Sequence, residues 1–219
     1  MARYKMPPIR RQKSSREPKR RFILFCEGKN TEPAYFSALK RTLTGALITV
    51  ETIPGVGVPM TIATEAVNFA KSQGLTKTSR LKKNSFEEND EVWAVFDRDD
   101  HPNFDEAISR CQDNNVGVAR SNPCFELWLI LHERDYNRPN HRDAVQRMLK
   151  KLRPEYDNRK RKIPDCDDLV TRVESAEERG KVLVERREEE GNPHGNPSTT
   201  VGNLTRAIRK ANELAGGSR

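Results

Sequence analysis

Short apolar runs alternate along the chain with stretches of helical spacing. The first run, Arg21 to Cys26, is rich in Phe, Ile and Leu and predicts a strand. It stops at Glu27-Gly28-Lys29-Asn30-Thr31-Glu32-Pro33. There Gly28 permits a tight turn, and Thr31 can cap a helix with Pro33 in its first turn. Ala34, Phe36, Leu39 and Leu43 give that helix an apolar face. Leu47 to Ile53 alternates and is β-branched, a second strand. Thr61 to Gln73 predicts a helix with Ile62, Ala66, Phe69 and Ala70 on one side and Gly74 past its end. Between these two elements Gly55 and Gly57 have the look of a phosphate loop, but the third glycine and the Lys-Ser/Thr pair are missing. Residues 75–90 are polar and lysine-rich and predict a loop.

The pattern then repeats. Glu91 to Asp97 is an apolar strand, Asn103 to Asn114 a helix buried through Ala107, Ile108 and Cys111, and Val116 to Ala119 a strand. After a switch at Ser121-Asn122-Pro123, Phe125 to His132 predicts a mostly buried helix. The order β-α-β-α-β-α-β-α points to an α/β fold, a mostly parallel sheet with helices on both faces, in which ligands bind beyond the C-terminal strand ends. Farther on, Arg134 to Lys162 is basic, with a helical stripe of Val145, Met148, Leu149 and Leu152. It would contact phosphates or form a solvated face. Residues 165–190 turn acidic around a helix with Leu169, Val170, Val173 and Ala176. Gly191 to Pro197 is a loop, and Ser198 or Thr199 would cap a last helix carrying Val201, Leu204, Ile208 and Leu214. Three parts result: a disordered arm over 1–20, an α/β core over 21–135, and a helical, charged part over 136–219 packed on that core.

Charge sharpens this division. The 219 residues are 34% hydrophobic and 33% charged, with a net charge of +8. Nine Lys or Arg and one acid lie within residues 1–21, so the rest of the chain holds 31 basic and 31 acidic side chains. The excess belongs to an arm, not to a basic body. Arg10, Arg11, Lys13, Lys19, Arg20 and Arg21 are its candidate phosphate contacts, with nucleic acid as the expected polyanion; a solubilising tail is the alternative. No apolar run approaches membrane-spanning length and no secretory signal is evident, which places the chain in the cytosol without a membrane partner. Four scattered cysteines, never in CxxC spacing, speak against zinc or a disulfide framework.

The candidate chemistry lies at strand ends. Asp97, Asp99 and Asp100 follow the third strand, and in extended geometry Asp97 and Asp99 point the same way. Clustered carboxylates repel unless a cation sits between them, and a hard divalent ion, Mg²⁺ above all, suits oxygen ligands. An acidic turn capping the next helix is the alternative. Glu27 and Lys29 lie at the end of the first strand, read as metal ligand or general acid/base and as phosphate contact, or else as polar turn residues. Glu126 is a charged group within an apolar run and should be paired or bind something. His101 would shuttle a proton or sit in a surface loop.

Two features resemble the Toprim pattern: Glu27 after the first strand, and Asp97-Arg98-Asp99 after a later one. More closely, Glu27–Tyr35, Val95–His101, Asn122–Trp128 and Asn196-Pro197-Ser198-Thr199 resemble the RloB family, over about residues 20 to 210. RloB-like proteins are associated with restriction-modification and abortive-infection loci, often beside an AAA or OLD-type ATPase. The resemblance implies a Toprim-like core and an Mg²⁺-dependent nuclease, with Mn²⁺ as a substitute ion, acting on RNA or DNA in antiphage defence with an ATPase (RloA-like) partner. Glu27 would then be general acid/base or metal ligand, Asp97 and Asp99 would hold the ion, and Asp100 would be an extra ligand. Glu126 would complete a second metal position, and Lys29 would neutralise a phosphate. Asn122, Pro123, Asn196 and Ser198 match the family with no role assigned, and the oligomeric state is open. A non-catalytic regulatory or docking subunit that binds nucleic acid or an ATPase is the competing reading, and a nucleotidyl- or phosphotransferase is a third.

Overall fold

A computed structural model describes residues 20–44, 48–55, 57–76, 90–98, 101, 103–160 and 162–216. Residues 1–19 of the expected disordered arm and nearly all of the expected loop over 75–90 lie outside these residues, whereas Arg20, read as the arm's last residue, opens the first strand of the sheet. Five strands form one sheet in the order β2-β1-β3-β4-β5: β1 Arg20–Cys26, β2 Ile48–Ile53, β3 Glu91–Asp97, β4 Gly117–Asn122 and β5 Ser198–Thr199. The first four are parallel and β5 is antiparallel to β4, so the expected α/β architecture is the observed one. Eight helices are described: α1 Thr31–Thr42, α2 Pro59–Ser72, α3 Phe104–Asp113, α4 Glu126–Glu133, α5 Arg142–Leu152, α6 Cys166–Val170, α7 Val173–Glu189 and α8 Val201–Gly216. Among the described residues no helix is long and apolar enough to cross a membrane.

Strand alternation sorts the core into two layers. Phe22, Leu24 and Cys26 of β1 face α1 and α4, while Ile23 and Phe25 face α2 and α3. The chain winds from β1 to β2 in one direction and then returns past β1 to lay down β3 on its other side. The strand order therefore reverses between β1 and β3, and a crevice opens at their C-terminal ends.

Several local expectations need correction. Thr31 is the first residue of α1 rather than its cap; Asn30 holds the cap position without a side-chain bond. The buried face of α1 is carried by Tyr35, Phe36, Ala38 and Leu39, with Ala34 and Leu43 only partly buried. Strand β4 runs three residues beyond Ala119 because Arg120, Ser121 and Asn122, though polar, are buried and bonded. Ser198 and Thr199 add a strand to the sheet, and Thr199 Oγ1 also accepts from the Val201 amide at the start of α8, so one residue both pairs and caps. Leu214 is 65% exposed and takes no part in the core.

Helix α4 is buried from Glu126 through His132, so its polar groups need partners inside the fold. Its one imidazole is fully bonded: His132 Nδ1 donates to the Trp128 carbonyl at 2.9 Å, and Nε2 accepts from the Tyr35 hydroxyl at 3.0 Å. Burial, above all, pushes His132 down to about 4. In the unfolded chain it titrates near 6.5, so below that pH the unfolded state binds the extra proton and stability falls until pH 4 is passed. Urea unfolding should show a loss of about 2 kcal/mol from this group between pH 7 and pH 5. His132→Gln should lose less over the same interval by about that amount; equal losses would rule the group out as the source.

Candidate functional site

The pairing of β1 with β3 sets the site. Cys26 lies opposite Val95, and the Glu27 amide continues the ladder by donating to the Val95 carbonyl at 3.0 Å. The next peptide on β3 answers: the Asp97 amide donates to Glu27 Oε2 at 3.0 Å. Glu27 and Asp97 are thus neighbours at the switch point although 70 residues separate them in sequence. His101 Nε2 lies 4.0 Å from Glu27 Oε1. Arg98, the residue after β3, is drawn toward the 193–197 segment by its bond to the His194 carbonyl at 2.8 Å.

Two further carboxylates face the same cleft of about 180 Å³. Glu32, in the first turn of α1, folds back so that Oε1 accepts from the Gly28 amide at 2.9 Å. Burial raises its carboxyl above the ordinary range, and the charge of Glu126 raises it further; the amides of Glu32 and Gly28 and the Arg142 guanidinium pull the other way. Glu126, at the start of α4, accepts from the Tyr156 hydroxyl at 2.6 Å. Glu126 and Asp97 both add to the burial that raises the Cys124 thiol, so the charges of two separate strand-end segments are felt at one point. Lys29, on the same turn, and Arg142, opening α5, supply the positive charge at the rim.

The walls come from distant sequence. Asn122 Nδ2 donates to the His194 carbonyl at 2.7 Å, and Asn196 exchanges bonds with the Asn140 backbone at 2.8 and 3.3 Å. Buried Arg120 donates to Ser198 Oγ at 2.9 Å and to the Pro193 carbonyl at 2.6 Å. Asn122-Pro123 and Asn196-Pro197 are both cis. Asn122, Pro123 and Asn196, which the sequence leaves without a role, therefore line a second cavity, about 340 Å³, that shares Arg142 with the acidic cleft.

Among the residues singled out from sequence, the fold brings Glu27, Lys29, Asp97 and Glu126 to one cleft. Asp99 and Asp100 lie outside the described residues, as do Arg10, Arg11, Lys13 and Lys19. Arg20 and Arg21 stand at the opposite, N-terminal end of the strands, about 20 Å along β1 from Glu27, where they pair with Glu91 and Asp90. Cys26, beside Glu27 in sequence, is buried, and burial followed by the charge of Glu32 raises its thiol well above the ordinary range. Among the described residues no three Asp, Glu, His or Cys stand close enough to hold an ion between them as they are.

Sequence reasoning missed Glu32 and Tyr156, and took Arg142 only as one basic residue of a segment that would contact phosphates or form a solvated face. Glu32 had a signal: it is the acid in the first turn of a helix that begins at the end of a central strand. Arg142 and Tyr156 had none beyond the general basicity of their segment, because tertiary packing alone carries them to Glu126.

A family model described as RloB-like protein matches residues 22–208, from the start of β1 into α8, and so bears out the resemblance read from the sequence blocks. No curated protein and no solved structure matches the chain.

The Gly28–Glu32 contact is open to a direct test. A Cβ on Gly28 would overlap the Glu32 carboxylate, Oε2 most closely. Gly28→Ala should destabilise the fold by about 1–3 kcal/mol, as overpacking does. In a Glu32→Ala background the same change should cost markedly less, a coupling that denaturant unfolding of the four proteins would measure. Equal costs in both backgrounds would show that the carboxylate is not what Gly28 accommodates.

Proposed function

The chain belongs to the RloB-like family, and on that premise we propose that it is a metal-dependent nuclease that hydrolyses phosphodiester bonds of RNA or DNA. The observation that supports this most is the pairing of Glu27 with Asp97 at the sheet's switch point, in a cleft that Glu32 and Glu126 also face. Four carboxylates offer only hard oxygen donors, and burial, reinforced by the charge of Glu126, raises the Glu32 carboxyl among them. That donor set fits Mg²⁺ or Mn²⁺. Asp97 would hold the ion, with Asp99, Asp100 and Glu126 as further donors. The ion would supply an activated water and offset charge on the leaving oxygen.

The protein's own groups do the rest. Lys29 and Arg142 at the rim bind the phosphate and bring it against the acids. Glu27, held by the Asp97 amide, takes a proton from the attacking water, and His101, 4.0 Å away, receives it onward. Gly28 and Glu32 hold the turn that carries Glu27 and Lys29. The basic arm adds phosphate contacts. An AAA or OLD-type ATPase partner, a role in antiphage defence and a cytosolic location belong to the same proposal and rest on the family resemblance alone.

The purified chain, assayed with Mg²⁺ or Mn²⁺ against tRNA, single-stranded DNA and duplex DNA, should cleave at least one of them. Glu27→Gln and Asp97→Ala should each lower the rate by about 100-fold or more. Calorimetric titration with Mn²⁺ should show binding that Asp97→Ala weakens. Cleavage unchanged by both substitutions would refute the assignment. A native chain that takes up no divalent ion would favour the docking-subunit reading instead.

A further inference from the structure

Three cavities lie in series beside α5. The first, about 340 Å³, is lined by Arg98, His141 and Arg142 together with the amides of Asn122, Asn192 and Asn196. The second is the acidic cleft, which shares Arg142 with the first. The third, about 530 Å³, is lined by Arg147, Lys150, Arg159 and Lys160 and shares Asn158 with the acidic cleft. Two acids also line the third cavity. Asp157 is occupied by Lys150 at 2.8 Å, and Asp143 lies 3.5 Å from His141 Nδ1, so cations outnumber acids there four to two. Arg147, Arg159 and Lys160 are solvent-exposed. Positive charge thus flanks the four carboxylates on both sides.

The spacing suits a polymer better than a small anion. From Arg142 to Lys150 the helix rises about 12 Å, farther than a single phosphate group reaches. A single phosphate needs only Lys29 and Arg142 at the cleft. A second basic cavity beyond Asn158 has no part in holding that one group.

We propose that one nucleic-acid strand lies along α5, with the reacting phosphate at the acidic cleft, neighbouring phosphates on one side in the Arg98–Arg142 cavity and those on the other against Arg147, Arg159 and Lys160. This deepens the nuclease reading and rests on it. The body itself then carries the strand, independently of the arm, which runs into the start of β1, at the far end of that strand from the acids. The Asn122 and 192–196 segments become one wall of the strand's path.

The test is equilibrium binding of fluorescein-labelled 12-nucleotide single-stranded RNA and DNA to the full chain in EDTA, where no metal-dependent cleavage occurs, across a series of salt concentrations. Arg147→Ala/Arg159→Ala/Lys160→Ala should weaken binding at least tenfold at 100 mM salt. It should also flatten the slope of log K against log salt by about 2, since each lost phosphate contact on a single strand removes about 0.7. Lys71→Ala/Arg110→Ala, on the far face of the sheet, controls for net charge and should change neither quantity by more than a small fraction of that. A triple variant indistinguishable from the native chain, a control with an equal effect, or a native chain that binds neither oligonucleotide would each overturn the track. Circular dichroism confirms that the variants fold. Cleavage in Mg²⁺ is read separately. Binding as expected without any cleavage would leave the track standing and sink the hydrolytic reading; cleavage with an unaffected triple variant would do the reverse.

Discussion

The register of β1 on β3 is the constraint from which the rest follows. With Cys26 opposite Val95, Glu27 and Asp97 leave the sheet side by side and the Asp97 peptide bonds the Glu27 carboxylate. Alternate residues of β1 feed two separate apolar layers, so a slip of one residue would exchange every side chain between them. Core packing thus guards the alignment of two acids that contribute nothing to the core.

Those acids set an electrostatic problem that the surroundings answer piecemeal. Glu27 takes the Asp97 amide, Glu32 the Gly28 amide, and Glu126 the Tyr156 hydroxyl. All three donors are neutral. A neutral donor satisfies a lone pair of an acid without removing its charge. Lys29 and Arg142 stand at the edge of the cleft, where a phosphate would meet them first. Acidic and basic groups thus stand on adjoining surfaces of the fold.

Much of this was readable in advance, for a physical reason. Parallel strands covered on both faces are continuous apolar runs, and β1 and β3 announce themselves that way. Acids that follow such runs lie at strand ends whatever the details, so Glu27 and Asp97 could be singled out before their distance was known. The legible part ends where pairing depends on remote sequence. Arg120, Ser121 and Asn122 do not look like strand, because their burial is made acceptable by residues 193–199. A two-residue strand such as β5 has no period to detect. Glu126 stood out as a charge among leucines, but its partner Tyr156 is 30 residues away and nothing local points to it.

The closing of the sheet by β5 has a consequence for how the protein comes into being. The acids are complete once Glu126 has been made, yet the wall that holds Asn122, Arg98 and Arg120 in place is supplied by residues 193–199. At ribosomal rates of about 5–20 residues per second, some 4–15 seconds pass between the two events. During that interval the nascent chain carries the acids without the wall that encloses them. The cleft therefore reaches its final form only after nearly the whole chain has left the ribosome.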